Sequence, residues 1–192
     1  MLDAVTIQQC APMVNHHLMM SVVSVESSHN PYAIGVVNGR LQRQPKSLYE
    51  AQVTAQFLER TGYNYSVGAA QVNRINFNRF NLDLNNVFDP CTNLNAGGQI
   101  LRECLDRAIA RGYQQNATNK ALSCYYTGQL NSKAGTEYAN KVIAKLIVYL
   151  NQAQHRAVSD SLQVSNTKAS SNGFSLAMEA KAASTKNSAV VF

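Results

Sequence analysis

Apolar positions recur at helical spacing in five stretches of the chain, separated by clusters of Asn, Gly, Pro and Ser. From Val14 to Ser27, Leu18, Met19, Val22, Val23 and Val25 form a broad apolar face, and Asn30-Pro31 predicts the end of that helix. Glu26 falls in its last turn. A second helix starts at Ser47, where Glu50 three residues on completes a capping-box pattern; Leu48, Ala51, Ala55 and Leu58 make its stripe and Gly62 stops it. Between these two, Gly35 to Pro45 reads as a loop or short hairpin. Tyr63 to Phe80 has no steady period, so irregular structure with a short helix from Gln71 is expected there. Asp89-Pro90 opens a third helix carrying Leu94, Leu101, Leu105 and Ile109, and Gly97-Gly98 within it admits another backbone closely. Thr118 reads as the cap of a fourth, which ends at Gly128. The fifth, about Thr136 to Gln154, places Tyr138, Val142, Leu146, Tyr149 and Leu150 on a core face. From His155 the composition turns to Ser, Ala, Asn and Lys, which predicts one domain over residues 1–156 and a flexible tail over 157–192.

A length of 192 residues suits one domain, and 45% hydrophobic residues suffice for a core. No apolar run approaches the length of a membrane span. The net charge of +6 is spread without a dense basic run, a zinc module or interleaved aromatics, which argues against a nucleic-acid binder and leaves a mild attraction to an anionic polymer. Cys10, Cys91, Cys104 and Cys124 form no CxxC pair, so two disulfides are expected rather than a zinc ribbon. Cys104 and Cys124 sit on neighbouring predicted helices, which makes that pairing, with Cys10–Cys91, one of three connectivities. Four buried free thiols in a cytosolic protein are the alternative. The start MLDAVTIQQC has neither a basic nor a long apolar segment, so no signal peptide is expected in the chain as given; it is cytosolic or its leader has been left out.

Glu26 is the residue that asks for chemistry. A carboxyl one turn beyond Val22 and Val23 on an apolar helix is partly desolvated, which raises its pKa towards that of a general acid. The plainer reading, an exposed Glu at a helix end, is at least as good from pattern alone. His16, His17 and His29 do not build a metal site: the Glu26–His29 ExxH spacing has no second copy, and Asn30-Pro31 breaks the helix there. GxSxG, Walker and dinucleotide motifs are all absent, so neither a cofactor nor nucleotide chemistry is expected.

Four segments in order carry a resemblance: Glu26-Ser27 with Asn30-Pro31; Gly68-Ala69-Ala70-Gln71-Val72-Asn73; Asp89-Pro90 with Asn93-Leu94 and Gly97; and Ala121-Leu122-Ser123-Cys124-Tyr125-Tyr126-Thr127-Gly128. Together they resemble the lytic transglycosylase domain. The stretches Asn30 to Val36 and Tyr63 to Gly68 are most similar to the small transglycosylase components of type IV secretion and conjugation systems. The resemblance covers about residues 10–150 and implies a mainly α, lysozyme-like single domain with a small irregular or β-containing segment. It implies cleavage of the MurNAc–GlcNAc β-1,4 bond of peptidoglycan with anhydromuramyl ends, in the periplasm, alongside secretion or conjugation subunits. It carries the catalytic role onto Glu26, places Ser66, Gln71 and Asn73 along the glycan, and has the Tyr125 hydroxyl help fix the acid and the sugar. On residue pattern alone, Gln71 and Asn73 could instead satisfy loop backbone, and Tyr125 could be a core aromatic. Two departures stand out. Ala69-Ala70 replaces the usual Leu-Met or Leu-Gly, which implies looser packing against the sugar, and Tyr126 replaces an Asn that supplies a hydrogen bond. The rival activities are a lysozyme-like hydrolase and a weakly active wall-binding assembly subunit.

Overall fold

The structure, a computed structural model, describes residues 2–157. The chain divides after Tyr149 into two units. Of the second, only residues 150–157 are described, and they are helical; the expected tail lies outside the described residues apart from its first position.

In the first unit the predicted helices are present with shifted ends. α2, His16–Ser27, is capped by the Asn15 side chain, which accepts from the Leu18 N–H at 3.2 Å; it ends where Ser28 turns left-handed at φ 52°. α3, Leu48–Arg60, is capped by Ser47, but the Glu50 carboxylate turns back to the Lys46 N–H and to Arg43 rather than to Ser47 itself. α4, Pro90–Ala110, starts on Asp89, whose carboxylate accepts from the Thr92 N–H, and Pro90 sits where its missing N–H costs nothing. α5 is Ala117–Thr127 and α6 covers residues 133–149.

Several expectations need correction. A short helix, α1 (Ala4–Cys10), precedes α2, capped by Asp3. Thr118 lies inside α5, which begins one residue earlier. Leu48 and Leu150 are exposed: the core stripe of α3 starts at Ala51, and that of the last helix has turned to solvent by Leu150. The small β-containing segment that the resemblance implied is a three-stranded antiparallel sheet, β1 (Ile34–Val36), β2 (Tyr65–Val67) and β3 (Val72–Asn73), in the order β1-β2-β3, built from the stretches read as a loop or short hairpin and as irregular structure. Two 3-10 turns, Arg74–Asn76 and Asn78–Phe80, follow in place of the short helix expected from Gln71.

The core is continuous through all these elements. Met19, Val22 and Val23 of α2 are fully buried alongside Leu94 and Leu101 of α4 and Leu122 of α5. Each such side chain contributes about 1.5–3 kcal/mol. Two disulfides reinforce it: Cys10–Cys91 joins α1 to the start of α4, and Cys104–Cys124 joins α4 to α5. This is the connectivity suggested by the helix positions, and it leaves no free cysteine.

Candidate active site

Glu26 continues the buried face of α2. Met19, Val22, Val23 and Glu26 stand at i, i+3, i+4 and i+7, so the carboxyl rises from the core side of the helix into a groove of about 930 Å³. Burial in this setting raises its pKa from 4.5 to about 7, and the Tyr138 hydroxyl of α6 offsets part of the rise by favouring the carboxylate. That hydroxyl is itself buried and closes no hydrogen bond of good geometry. Tyr138 is thus held beside the acid with a donor in reserve. Its pKa is pushed well above 10 by burial and then by the Glu26 charge, so it stays protonated and can only donate to the carboxylate.

The opposite side of the groove is the polar face of the sheet. In β2, Tyr65 and Val67 point into the core and Ser66 points out, as period-2 alternation dictates. Strand register places Gly35 of β1, Ser66 of β2 and Asn73 of β3 in one row, and all three line the groove. Asn73 Nδ2 donates to Ser66 Oγ at 3.2 Å and to Asn64 Oδ1 at 2.9 Å, while its Oδ1 accepts from the Ile75 N–H. Ser66 therefore keeps its own proton for a ligand.

Between acid and sheet lies the loop Gly68–Gln71. Three helices grip it through polar side chains. Ser27 Oγ of α2 lies 2.8 Å from the Ala69 carbonyl and 3.1 Å from that of Val23. Asn93 of α4, 1% exposed, accepts from the Ala70 N–H at 2.8 Å and donates to the carbonyls of Val67 and Val87. Tyr125 of α5 donates to the Ala70 carbonyl at 2.6 Å. Gly68 is at φ 81°, and a β-carbon there would collide with the Asn93 side chain, so both conformation and space demand glycine. Gln71, left-handed at φ 48°, folds its Nε2 onto the carbonyls of Ala33 and Gly68, which leaves Oε1 as its one unused polar atom.

Glu26, Ser66, Gln71, Asn73 and Tyr125 all line this one groove. They divide into two kinds. The side-chain amides of Gln71 and Asn73 and the Tyr125 proton are committed to protein groups, so these residues shape the wall and present oxygens. Glu26 and Ser66 face the groove with protons to give. The two departures also resolve. Ala69 and Ala70 are fully buried and pack on the core, not on the groove, and Tyr126 forms a wall by stacking on Tyr138 at 4.7 Å between ring centroids.

Two residues of the site escape the sequence reading, one buried beside the acid and one lining the groove. Tyr138 was assigned to the core by its spacing; the available signal was a phenol in an aliphatic stripe, which needs a partner for its hydroxyl. Glu103 is the only other acid lining the groove among the described residues, and it is ion-paired with Arg79, whose guanidinium also lies 4.5 Å above the Phe80 ring.

The chain is 51% identical over 144 residues to the "Type IV secretion system protein virB1" of Brucella abortus and of Brucella suis, a match covering 71% of this chain and 60% of theirs. It is 26% identical over 136 residues to "Protein virB1" of Agrobacterium fabrum, covering 70% of this chain and 55% of that one. The matched region thus spans about three-fifths of the length of the curated relatives in Brucella. No solved structure matches the chain. The family model for the transglycosylase SLT domain matches residues 3–148, from α1 to the end of α6 and around every residue of the groove, and the chain belongs to that family.

Proposed function

We propose that the protein is a peptidoglycan lytic transglycosylase that cleaves the MurNAc–GlcNAc β-1,4 bond and leaves 1,6-anhydromuramyl ends. The observation that carries this is the pair of acids in the groove: one buried carboxyl, Glu26, that holds its proton up to about pH 7, and one surface carboxylate, Glu103, bound by Arg79. A hydrolase uses two carboxyl groups, the second as nucleophile or as base for water. A transglycosylase needs only one. Protonated Glu26 gives its proton to the glycosidic oxygen as the bond to the muramyl anomeric carbon breaks. The carboxylate then takes the proton of the muramyl primary hydroxyl as that oxygen bonds to the same carbon. The acid is regenerated and no water is consumed. Tyr138, positioned to donate, steadies the carboxylate between the two steps. Ser66 and the oxygen of Gln71 offer hydrogen bonds to the sugars, and Ile75, 85% exposed at the groove, offers an apolar surface to a sugar face.

The SLT family and the similarity to type IV secretion system virB1 proteins support work at the cell wall for a type IV secretion or conjugation system, where local opening of the wall makes room for the apparatus. Two disulfides fit the oxidising periplasm, and among the described residues no helix is long and apolar enough to cross a membrane. The reaction as written requires neither metal nor cofactor. Residues 157–192 serve as a tether or partner-binding segment outside the catalytic domain of residues 1–156.

The test is mass spectrometry of the fragments released from purified peptidoglycan by the intact protein and by Glu26→Gln. Anhydromuramyl ends from the intact protein alone are expected. Hydrated reducing ends would transfer the assignment to a lysozyme-like hydrolase, for which Glu103 is the candidate second carboxyl. Binding without cleavage by either protein would identify a wall-binding assembly subunit.

A further inference from the structure

Beyond the groove, at the far end of α4, lies a second hollow of about 330 Å³ with a different character. It is lined by Arg107 and Arg111, one helical turn apart, and by the α5–α6 connection from Gly128 to Asn131. Arg107 and Gly128 line both hollows, so the two adjoin. Among the described residues neither arginine has an ion-pair partner. The acids on the same helix are engaged elsewhere: Glu103 pairs with Arg79 and Asp106 with Arg102. Lys120 adds a third cation at the edge, its Nζ 2.5 Å from Asn131 Oδ1.

Arg107 is fixed rather than free. Its guanidinium donates to the Gly128 carbonyl at 3.4 Å and lies 2.8 Å from Cys124 Sγ, against the Cys104–Cys124 disulfide. These contacts are to neutral groups and leave the charge uncompensated. Cations do favour a helix C-terminus, which accounts for one arginine at this end. Two at i and i+4 repel, and the repulsion is relieved by an anion between them.

We propose that this hollow binds a carboxylate of the peptide that branches from the glycan strand. The inference rests on the peptidoglycan reading above. The sugars of the strand are uncharged, and the anionic groups of the polymer are the carboxylates of its peptides, which leave the backbone at the muramyl residue on which Glu26 acts. A hollow that shares two residues with the acid's groove is within reach of that branch. Arginine forks match a carboxylate in bidentate fashion. The site therefore selects strands whose peptides carry free carboxylates over strands whose peptide carboxylates are amidated.

The experiment uses the full chain as Glu26→Gln, so that bound strands are not cut, and measures calorimetric affinity for peptide-bearing strands and for the same strands with their peptide carboxylates converted to amides. Strands with free peptide carboxylates are expected to bind about tenfold more tightly than the amidated ones, as charge-assisted hydrogen bonds are worth that much. With Arg107→Gln and Arg111→Gln added, the ratio should fall to about one; with Arg111→Gln alone, at an exposed position, it should fall about threefold. A ratio that survives both substitutions, or that is one from the start, overturns the proposal. Competition by inorganic phosphate as strong as that by free carboxylate-bearing peptide, at matched ionic strength, would also overturn it in favour of a general anion site. Should the ratio hold while the intact protein releases no anhydromuramyl product, the peptide site stands and the transglycosylase reading fails.

Discussion

Replacing Glu26 by Gln should make the protein more stable in alkaline solution and no different in acid. The folded protein keeps the Glu26 proton up to about pH 7, whereas the unfolded chain releases it near 4.5. Across that interval the folded state binds more protons, so the contribution of Glu26 is fully present below pH 4.5 and is lost as the pH rises through 7. Each tenfold step is worth about 1.4 kcal/mol, which puts the full loss near 3 kcal/mol by about pH 8.5. Solvent at the mouth of the groove lowers this figure. Tyr125 and Tyr138, the phenols beside the acid, have pKa values pushed well above 10 and stay neutral throughout, so they add no slope of their own. Gln is nearly isosteric with the protonated acid and carries no charge to desolvate. Thermal melts followed by circular dichroism should superimpose at about pH 4 and separate by roughly 6–12 °C at about pH 8.5, Gln above Glu. A difference that is constant across this range, or one that favours Glu in alkali, would refute the burial argument for Glu26 and with it the acid's readiness to donate.

The same proton governs the rate: cleavage of peptidoglycan should be flat in mild acid and fall tenfold per pH unit above about 7, and a profile still level at pH 9 would exclude Glu26 as the general acid. Asn93→Leu strands the Ala70 N–H and two carbonyls, each at about 1–3 kcal/mol, so chemical denaturation should show a loss of at least about 3 kcal/mol; a loss under about 1 kcal/mol would mean the loop is held otherwise. Glu103→Gln should leave anhydromuramyl products unchanged in kind, with its main effect on substrate affinity through freed Arg79; a fall in kcat as large as that of Glu26→Gln would instead mark Glu103 as a second catalytic carboxyl. Removal of residues 157–192 should leave cleavage of purified wall in solution nearly unchanged, and a large fall in that assay would show that the segment belongs to the catalytic unit.

Where local spacing decides the structure, the sequence was sufficient. The stripe Met19, Val22, Val23 leads to Glu26 by helical periodicity alone, and Ser47 and Asp89 announce their helices because a short polar side chain before an apolar run has one good use there. A small β-containing segment followed from the resemblance, but its strands were not legible from the pattern. Its strands are two or three residues long, too short for alternation to register, and they are fixed by pairing with one another. The grip on the loop was equally hidden, because Ser27 meets Ala69 across 42 positions and Tyr125 meets Ala70 across 55. Tyr138 illustrates the limit most clearly. Its spacing places it correctly on the inner face of α6, yet only the packing of α6 on α2 sets its hydroxyl beside the acid.

The Ala69-Ala70 departure shows how such hidden geometry changes a judgement made from motif alone. In the sequence, two small residues beside Gln71 look like a loosened sugar site. In the fold they are what lets the site close. Ala70 lies directly on Gly97 of α4, where an added β-carbon would be 2.5 Å from that of Ala70 and 3.1 Å from the Tyr125 hydroxyl. A small residue facing a glycine brings loop and helix into near backbone contact, and at that separation Asn93 and Tyr125 both reach Ala70, at 2.8 and 2.6 Å. A larger side chain at position 70 would push α4 away and lengthen both bonds together. Tight packing on the core side thus fixes Gln71 and the following strand on the groove side, on the wall that faces Glu26.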